Sequence, residues 1–315
     1  MVFNNTAKTS SIKASTFKEL KEKKFQEDPS YISPSILPHG STCGIYGDSK
    51  TGKSFLCLNM ARALALGENL YDIKEMPVPK ECKVLYVEQE IGEVGLQDRA
   101  NRIFSKVPLN KLEDNLFYIT KVPALQLDSY EGQEIIKDVI NKVNPNVIIF
   151  DTIGKQHGYE ENSNTQIGEL FKTFEEFKKI RPSDNLSIVY SHHVRKPDGY
   201  QPGAPKPDPL DPHKASGAGR WFRDPDTIIT THRYDTVKIP WEKWKLRVRI
   251  TLRHGSSPED FVLKVNHDQF EDWNDGDLRV KFHTDLGAPK PLFNSRAKKK
   301  EAPKPQPSQE PLFKL

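Results

Sequence analysis

Two rhythms of apolar residues alternate through the middle of the chain. Short, mostly apolar runs at 41–46, 83–87, 116–120, 146–150 and 186–190 have the length and content of buried strands. Between them, apolar positions recur every three or four residues. Phe55, Leu56, Leu58, Met60, Ala61, Leu64 and Leu66 do so before a stop at Gly67, and the segments 94–104, 132–143 and 165–180 repeat the pattern. Three more strands are expected at 228–231, 246–252 and 261–265. Strands alternating with helices predict an α/β fold whose mainly parallel central sheet is covered by helices.

The two ends break the rhythm. Residues 1–28 are polar, with one charged stretch at 18–24 that suits a surface helix in an otherwise flexible arm. Residues 29–40 are turn-rich, with Tyr31, Ile32, Ile36 and Leu37 interleaved as a lead-in to the first buried strand. From Gly287 onward Pro, Lys, Gln and Ser dominate with no periodic apolar face, which predicts disorder. The expected organisation is an arm at 1–28, one α/β domain at 29–285 and a basic proline-rich tail at 286–315. No internal repeat and no second globular domain is read.

Composition sharpens this picture. Mean hydropathy is −0.67, on the polar side, but the 24 prolines crowd into a few stretches, so the polarity belongs to loops and tail. The net charge of +4 is uneven as well. Residues 286–315 hold seven Lys or Arg against two acids, leaving the rest nearly neutral, so charge alone does not announce nucleic acid. No apolar run approaches the roughly 18 residues of a membrane span, and the N-terminal stretch has no signal-like apolar core. Cys43, Cys57 and Cys82 are odd in number and lack metal-ligand spacing, so buried free thiols in a cytoplasmic protein are expected.

Candidate chemistry begins at Gly47-Asp48-Ser49-Lys50-Thr51-Gly52-Lys53-Ser54, followed by Phe55. This is the phosphate-loop pattern G-x-x-x-x-G-K-[ST], between a predicted strand and a predicted helix as the motif requires. In that context loop N–H groups and the helix N-terminus face an anion. Lys53 then contacts the β and γ phosphates of ATP, and the Ser54 hydroxyl holds Mg²⁺. The run 146–150 delivers Asp151 to the same edge of a parallel sheet, where a carboxylate can hold Mg²⁺ or its water. Hydrolysis also needs a group to orient or deprotonate water, and Glu90 or Glu88 at the end of the run 83–87 can supply it.

These residues resemble the RecA-type hexameric ATPases, and among them the RepA-like plasmid and phage replicative helicases, over about residues 34–265. Val84-Leu85-Tyr86-Val87-Glu88-Gln89-Glu90 looks like that family's second strand and catalytic glutamate, the role falling by spacing on Glu90 with Glu88 as alternative. The segment from Asp151 to Asn164, with His157-Gly158 and Glu161-Asn162, resembles the stretch after the metal aspartate. His192-His193-x-x-Lys196 resembles the strand-end sensor, which places the sensing histidine at His193. Lys214-Ala215-Ser216-Gly217-Ala218 resembles the small-residue motif after the DNA-facing loop. Arg253-His254-Gly255 is similar to the late Arg-x-Gly whose arginine reaches a neighbouring subunit, with Arg220, Arg223 and Arg233 as alternatives.

The resemblance implies a ring of six working on single-stranded DNA. Its channel loops would be 154–163 and 195–219, carrying Lys155, Arg195, Lys196, Lys206 and Lys214, with Tyr159 and Tyr200 for stacking. The second loop is longer and richer in proline than the family pattern. A RecA-type loader, mediator or regulator without unwinding activity stays open, as does, more remotely, a P-loop small-molecule kinase. Adjacent His192 and His193 suggest zinc, but no third ligand lies at suitable spacing. At the far end Gln309-Glu310-Pro311-Leu312-Phe313 resembles the Q-x-x-L-F peptide that docks on bacterial sliding clamps, with a solubilising or DNA-binding tail as the alternative. No membrane partner is expected.

Overall fold

Successive side chains of a strand point to opposite faces, so an apolar run without interruption needs cover on both sides. A computed structural model supplies that cover. It describes residues 14–24, 29–105, 107–180, 185–193, 208–211, 217–233, 245–266 and 281–284. Six parallel strands stand in the order β8 (Thr227–Arg233), β3 (Thr42–Gly47), β7 (Ser187–His193), β6 (Val147–Asp151), β4 (Val84–Glu88) and β5 (Leu116–Thr120). Beyond β8 the sheet continues antiparallel through β9 (Lys245–Leu252), β10 (Phe261–Asn266) and β11 (Lys281–Thr284). Every run expected to form a strand does so, and β11 is an addition.

The alternation sorts the core into two clusters. Cys43, Ile45, Val84, Tyr86, Val147, Ile149 and Val189 face one side. There they meet α2 (Lys53–Leu66) and a short hairpin of β1 (Ser30–Ile32) and β2 (Leu37–Pro38). Leu85, Val87, Ile148, Phe150, Ile188 and Tyr190 face the other side, against α5 (Tyr130–Val143) and α6 (Asn164–Ile180). Ile136 and Ile140 of α5, and Ile167, Leu170, Phe171, Phe174 and Phe177 of α6, form the buried stripes. Phe174 lies parallel to Phe150 with ring centroids 5.6 Å apart. Truncating it to alanine would cost about 3–5 kcal/mol.

Helix ends follow from local chemistry. Gly67 closes α2 at φ 65°, and Asn144 closes α5 at φ 57°. Ser129 opens α5 by accepting a 3.0 Å bond from the Gly132 N–H. Two short helices were not anticipated, α4 (Leu109–Leu112) and α7 (Arg220–Arg223), the latter burying Trp221 completely. In the arm, α1 (Phe17–Glu22) falls on the expected charged stretch and starts at a capping box between Thr16 and Glu19. The three cysteines are free and buried, as read. No described helix is long and apolar enough to cross a membrane. The proposed tail, 286–315, lies outside the described residues.

Candidate active site

Parallel register brings the chemistry to one edge. Gly47, the last residue of β3, stands beside His193 of β7 and Thr231 of β8, while Glu88 of β4 stands beside Asp151 of β6. The strand carrying the phosphate loop thus lies between β7 and β8, and α2 carries the chain across β7 and β6 to β4. Ligands of open parallel sheets bind at the carboxyl ends of strands, where such a crossing opens a crevice.

The loop is held open by its own geometry. A Cβ on Gly47 would lie 2.7 Å from the Thr231 carbonyl oxygen, so only glycine fits there. Gly52 precedes α2 at φ 83°, left-handed, and contributes no side-chain cap. Thr51 donates its hydroxyl to the Asp48 carbonyl at 2.8 Å, closing the turn. The first N–H groups of a helix lack intrahelical acceptors. Among the described residues no backbone carbonyl takes those of Lys53 and Ser54. Unclaimed donors around a buried ammonium fit the phosphates of a nucleotide.

Lys53 is 5% exposed, and its Nζ donates to the carbonyls of Gly47 (2.9 Å) and Asp48 (2.8 Å). Its third contact is His193 Nδ1 at 3.1 Å. Burial pulls the Lys53 pKa down to about 8, opposed by the charges of Asp151, Asp48 and Glu90. Burial, then the Lys53 charge, also lowers the His193 pKa. A neutral imidazole leaves Nδ1 able to accept from the ammonium.

Asp151 is buried, and each carboxylate oxygen meets one hydroxyl: Tyr86 Oη donates at 2.7 Å and Ser191 Oγ at 2.5 Å. Neither hydroxyl was anticipated. Each is a buried hydroxyl on a central strand, and such a group needs a partner. The Asp151 carboxylate, with the half-buried Ser54 at the start of α2, is a hard-oxygen donor set suited to Mg²⁺.

The two glutamates diverge. Glu88 is 1% exposed and accepts from the N–H groups of Glu90 and Ile91 (both 2.6 Å) and of Gly92 (2.8 Å), and from Thr120 Oγ1 (3.1 Å). It is committed to holding the start of α3 (Gly92–Ile103). Glu90 is exposed, and its charge acts on both Lys53 and His193. Lys155 also acts on His193 and is exposed in the loop after β6.

His192 and His193 point to opposite faces of β7. The ring of His192 lies 4.2 Å from that of Trp221, away from Lys53, so the pair cannot chelate one ion. No group of three or more His, Cys, Asp or Glu among the described residues is arranged to hold a metal. Tyr159 packs against the core and the His157 ring at 5.8 Å, which limits its use for stacking.

Arg253 stands at the opposite edge of the sheet from the phosphate loop. It donates to Asp226 Oδ1 at 3.3 Å and to the carbonyls of Arg223 and Asp224. Of the long second loop, 208–211 and 217–219 are described. Leu210 is buried there, Thr230 Oγ1 donates to its carbonyl at 3.0 Å, and Arg249 bonds Asp208 at 2.7 Å. Arg195, Lys196, Lys206, Lys214 and Tyr200 lie outside the described residues.

A parallel sheet with this phosphate loop, a buried strand-end aspartate beside it and helices on both faces defines a RecA-like P-loop ATPase. The family model described as "AAA domain" matches residues 6–199, and the chain belongs to that family. The match takes in Lys53, Glu90, Asp151 and His193 and stops short of Arg253. Among solved structures the chain is similar to the flagellar accessory protein FlaH of Methanocaldococcus jannaschii. Identity is 18% and the TM-score 0.48, over 79% of this chain and 91% of that one. No curated protein matches.

Proposed function

We propose that the protein is an ATP-hydrolysing ring motor that translocates on single-stranded DNA as the replicative helicase of a plasmid, phage or other mobile element. The observation supporting this reading is the meeting of Lys53, Asp151, Glu90 and His193 at the ends of four neighbouring strands. Lys53 exchanges its carbonyl contacts for the β and γ phosphates of ATP, which sit on the loop N–H groups from Gly47 to Ser54. Ser54 and Asp151 would hold Mg²⁺, which would supply positive charge to offset that developing on the transferring phosphoryl group. Glu90, rather than the committed Glu88, orients and deprotonates the attacking water. His193, already joined to Lys53, registers loss of the γ-phosphate and passes it along β7 toward the loop carrying Arg195, Lys196, Lys206 and Lys214.

Hydrolysis measured with and without single-stranded DNA, beside strand displacement and particle mass, tests this reading. The expected results are DNA-stimulated turnover, a mass near six subunits and unwinding of a forked duplex. Binding should weaken as salt rises, and neutralising Lys206 and Lys214 should flatten that slope by about one to two ions. Stimulated turnover without displacement would leave a RecA-type ATPase and remove the helicase.

A further inference from the structure

Lys53 and Asp151 carry opposite charges in one crevice and are only 5% and 2% exposed. The Asp151 charge is the strongest of those acting on Lys53. A crevice of low dielectric pulls such charges together. Yet among the described residues no ion pair joins them, and each bonds to other partners instead. A pair formed there would set the ammonium against the carboxylate rather than the phosphates. It would also take the carboxylate away from a cation.

What holds Asp151 is a grip from both flanking strands. Tyr86 Oη on β4 donates to Oδ2 at 2.7 Å, and Ser191 Oγ on β7 donates to Oδ1 at 2.5 Å. These are the short lengths of bonds from a hydroxyl to a carboxylate. An ionised carboxylate only accepts, so both hydroxyl protons are committed to it. With one bond on each oxygen, the group cannot turn without breaking one of them. Register accounts for the two residue types. Tyr86 is level with Ile149, two residues short of Asp151, and its long side chain covers those ~6.6 Å of strand. Ser191 follows Tyr190, which is level with Phe150, so a short side chain suffices. Both hydroxyls stand on central strands, which are stiffer supports than loops. We propose that Tyr86 and Ser191 are positioning residues that keep Asp151 turned away from Lys53. The ammonium then stays open to phosphates and the carboxylate to a cation. Without the two hydroxyls the carboxylate swings to the ammonium, and the site neutralises itself before a nucleotide arrives. The proposal rests on the reading of this crevice as a nucleotide site; ring assembly and DNA have no part in it.

The test uses the full chain. Affinity for ATP is measured by calorimetry in EDTA, where no metal binds and no turnover occurs. Tyr86→Phe with Ser191→Ala removes both hydroxyls and should weaken binding about tenfold or more, because the new ion pair must open first. The same two substitutions are then made beside Asp151→Asn, which has no charge to offer Lys53. There the loss should disappear, whereas damage to packing would lower affinity alike in both backgrounds. Ser191→Thr keeps the hydroxyl and should bind as the wild type does. If the double variant does not fold, Ser191→Ala alone runs through the same cycle. Wild-type affinity in the folded variant overturns the proposal, and so does a loss of the same size beside Asp151→Asn. A wild type whose affinity is untouched by Lys53→Ala would remove the nucleotide reading and the proposal together. The cycle can succeed in a chain that neither hydrolyses ATP nor responds to DNA, so the motor reading can fail by itself.

Discussion

Binding of ATP above pH 7.5 should draw a proton from solution, and Lys53 is the group that takes it up. In the free protein its ammonium is buried, and its pKa stands at about 8 against an ordinary 10.5. The shift corresponds to about 3 kcal/mol of disfavoured charge. A bound triphosphate places negative charge on the same atom and returns the pKa toward its ordinary value. Free Lys53 carries roughly half a proton at pH 8 and roughly a tenth at pH 9. Uptake on binding should therefore be about 0.5 proton at pH 8, about 0.9 at pH 9, and close to none from this group below pH 7. Calorimetric titration with a non-hydrolysable ATP analogue and Mg²⁺, repeated in buffers of different ionisation enthalpy, counts those protons directly. Lys53→Arg keeps the charge but cannot lose its proton in this range, so its uptake should vanish. The depressed pKa also fixes a stability trend. Between pH 8 and 10.5 the unfolded chain holds more protons at this position, so Lys53 makes the free protein more stable as pH rises through that window. Equal uptake in wild type and Lys53→Arg, or none at pH 9 in the wild type, would refute the reasoning.

Three further outcomes follow from the placement of the polar groups. Glu88→Gln should destabilise the fold by about 1–3 kcal/mol, because three N–H groups lose a charged acceptor. Glu90→Gln should leave the melting temperature nearly unchanged, bind nucleotide and lose turnover; a Glu90→Gln chain that hydrolyses ATP normally would remove Glu90 as the base. Arg253→Ala is expected to cut turnover while sparing nucleotide affinity, and mixing it with Lys53→Ala subunits should restore activity at interfaces with a sound loop and a sound arginine. If no mixing ratio restores activity, its cis contacts to Asp226 and the end of α7 are its whole role. A labelled peptide of residues 301–315 should bind a bacterial sliding clamp and lose binding when Leu312 and Phe313 become alanine, and equal binding by both peptides would dispose of clamp docking.

Much of the fold was legible because parallel strands leave a plain trace. The runs 83–87 and 146–150 had no polar face to place in solvent, so they had to be interior strands. The phosphate loop was legible for a related reason, since its glycines and lysine answer to backbone geometry and charge. What could not be read was reach. The strand expected to end at residue 190 continues to His193, and that extra length brings the imidazole beside Gly47 and within 3.1 Å of Lys53. Periodicity cannot report it, because Ser191, His192 and His193 are polar and look like a loop. The four-residue α7 escaped for want of length, although Trp221 anchors much of the second core. Its carbonyl accepts from Tyr46 and Tyr190, and its indole N–H donates to the Glu161 carbonyl at 3.3 Å. Those partners come from three separate segments, and a pattern along the chain has no access to them.

The divergence of the strand-end carboxylates comes down to which donors each one meets. Glu88 and Asp151 are neighbours in register, equally buried, and alike in charge. Burying either without partners would cost several kcal/mol. Glu88 has one more methylene and reaches past its strand to three N–H groups at the start of α3, where the helix N-terminus favours an anion. Fixed backbone donors hold it there and fix the path of the chain into α3. Asp151 is shorter and stays level with the strand end, where it meets only the hydroxyls of Tyr86 and Ser191. A hydroxyl engages one lone pair of an oxygen that has two, so both Asp151 oxygens keep acceptor capacity toward Lys53 and the phosphate loop. Glu90, two residues beyond Glu88, is left exposed because the N–H groups around it are already taken. One carboxylate shapes the turn, one keeps capacity for a cation, and the third faces water.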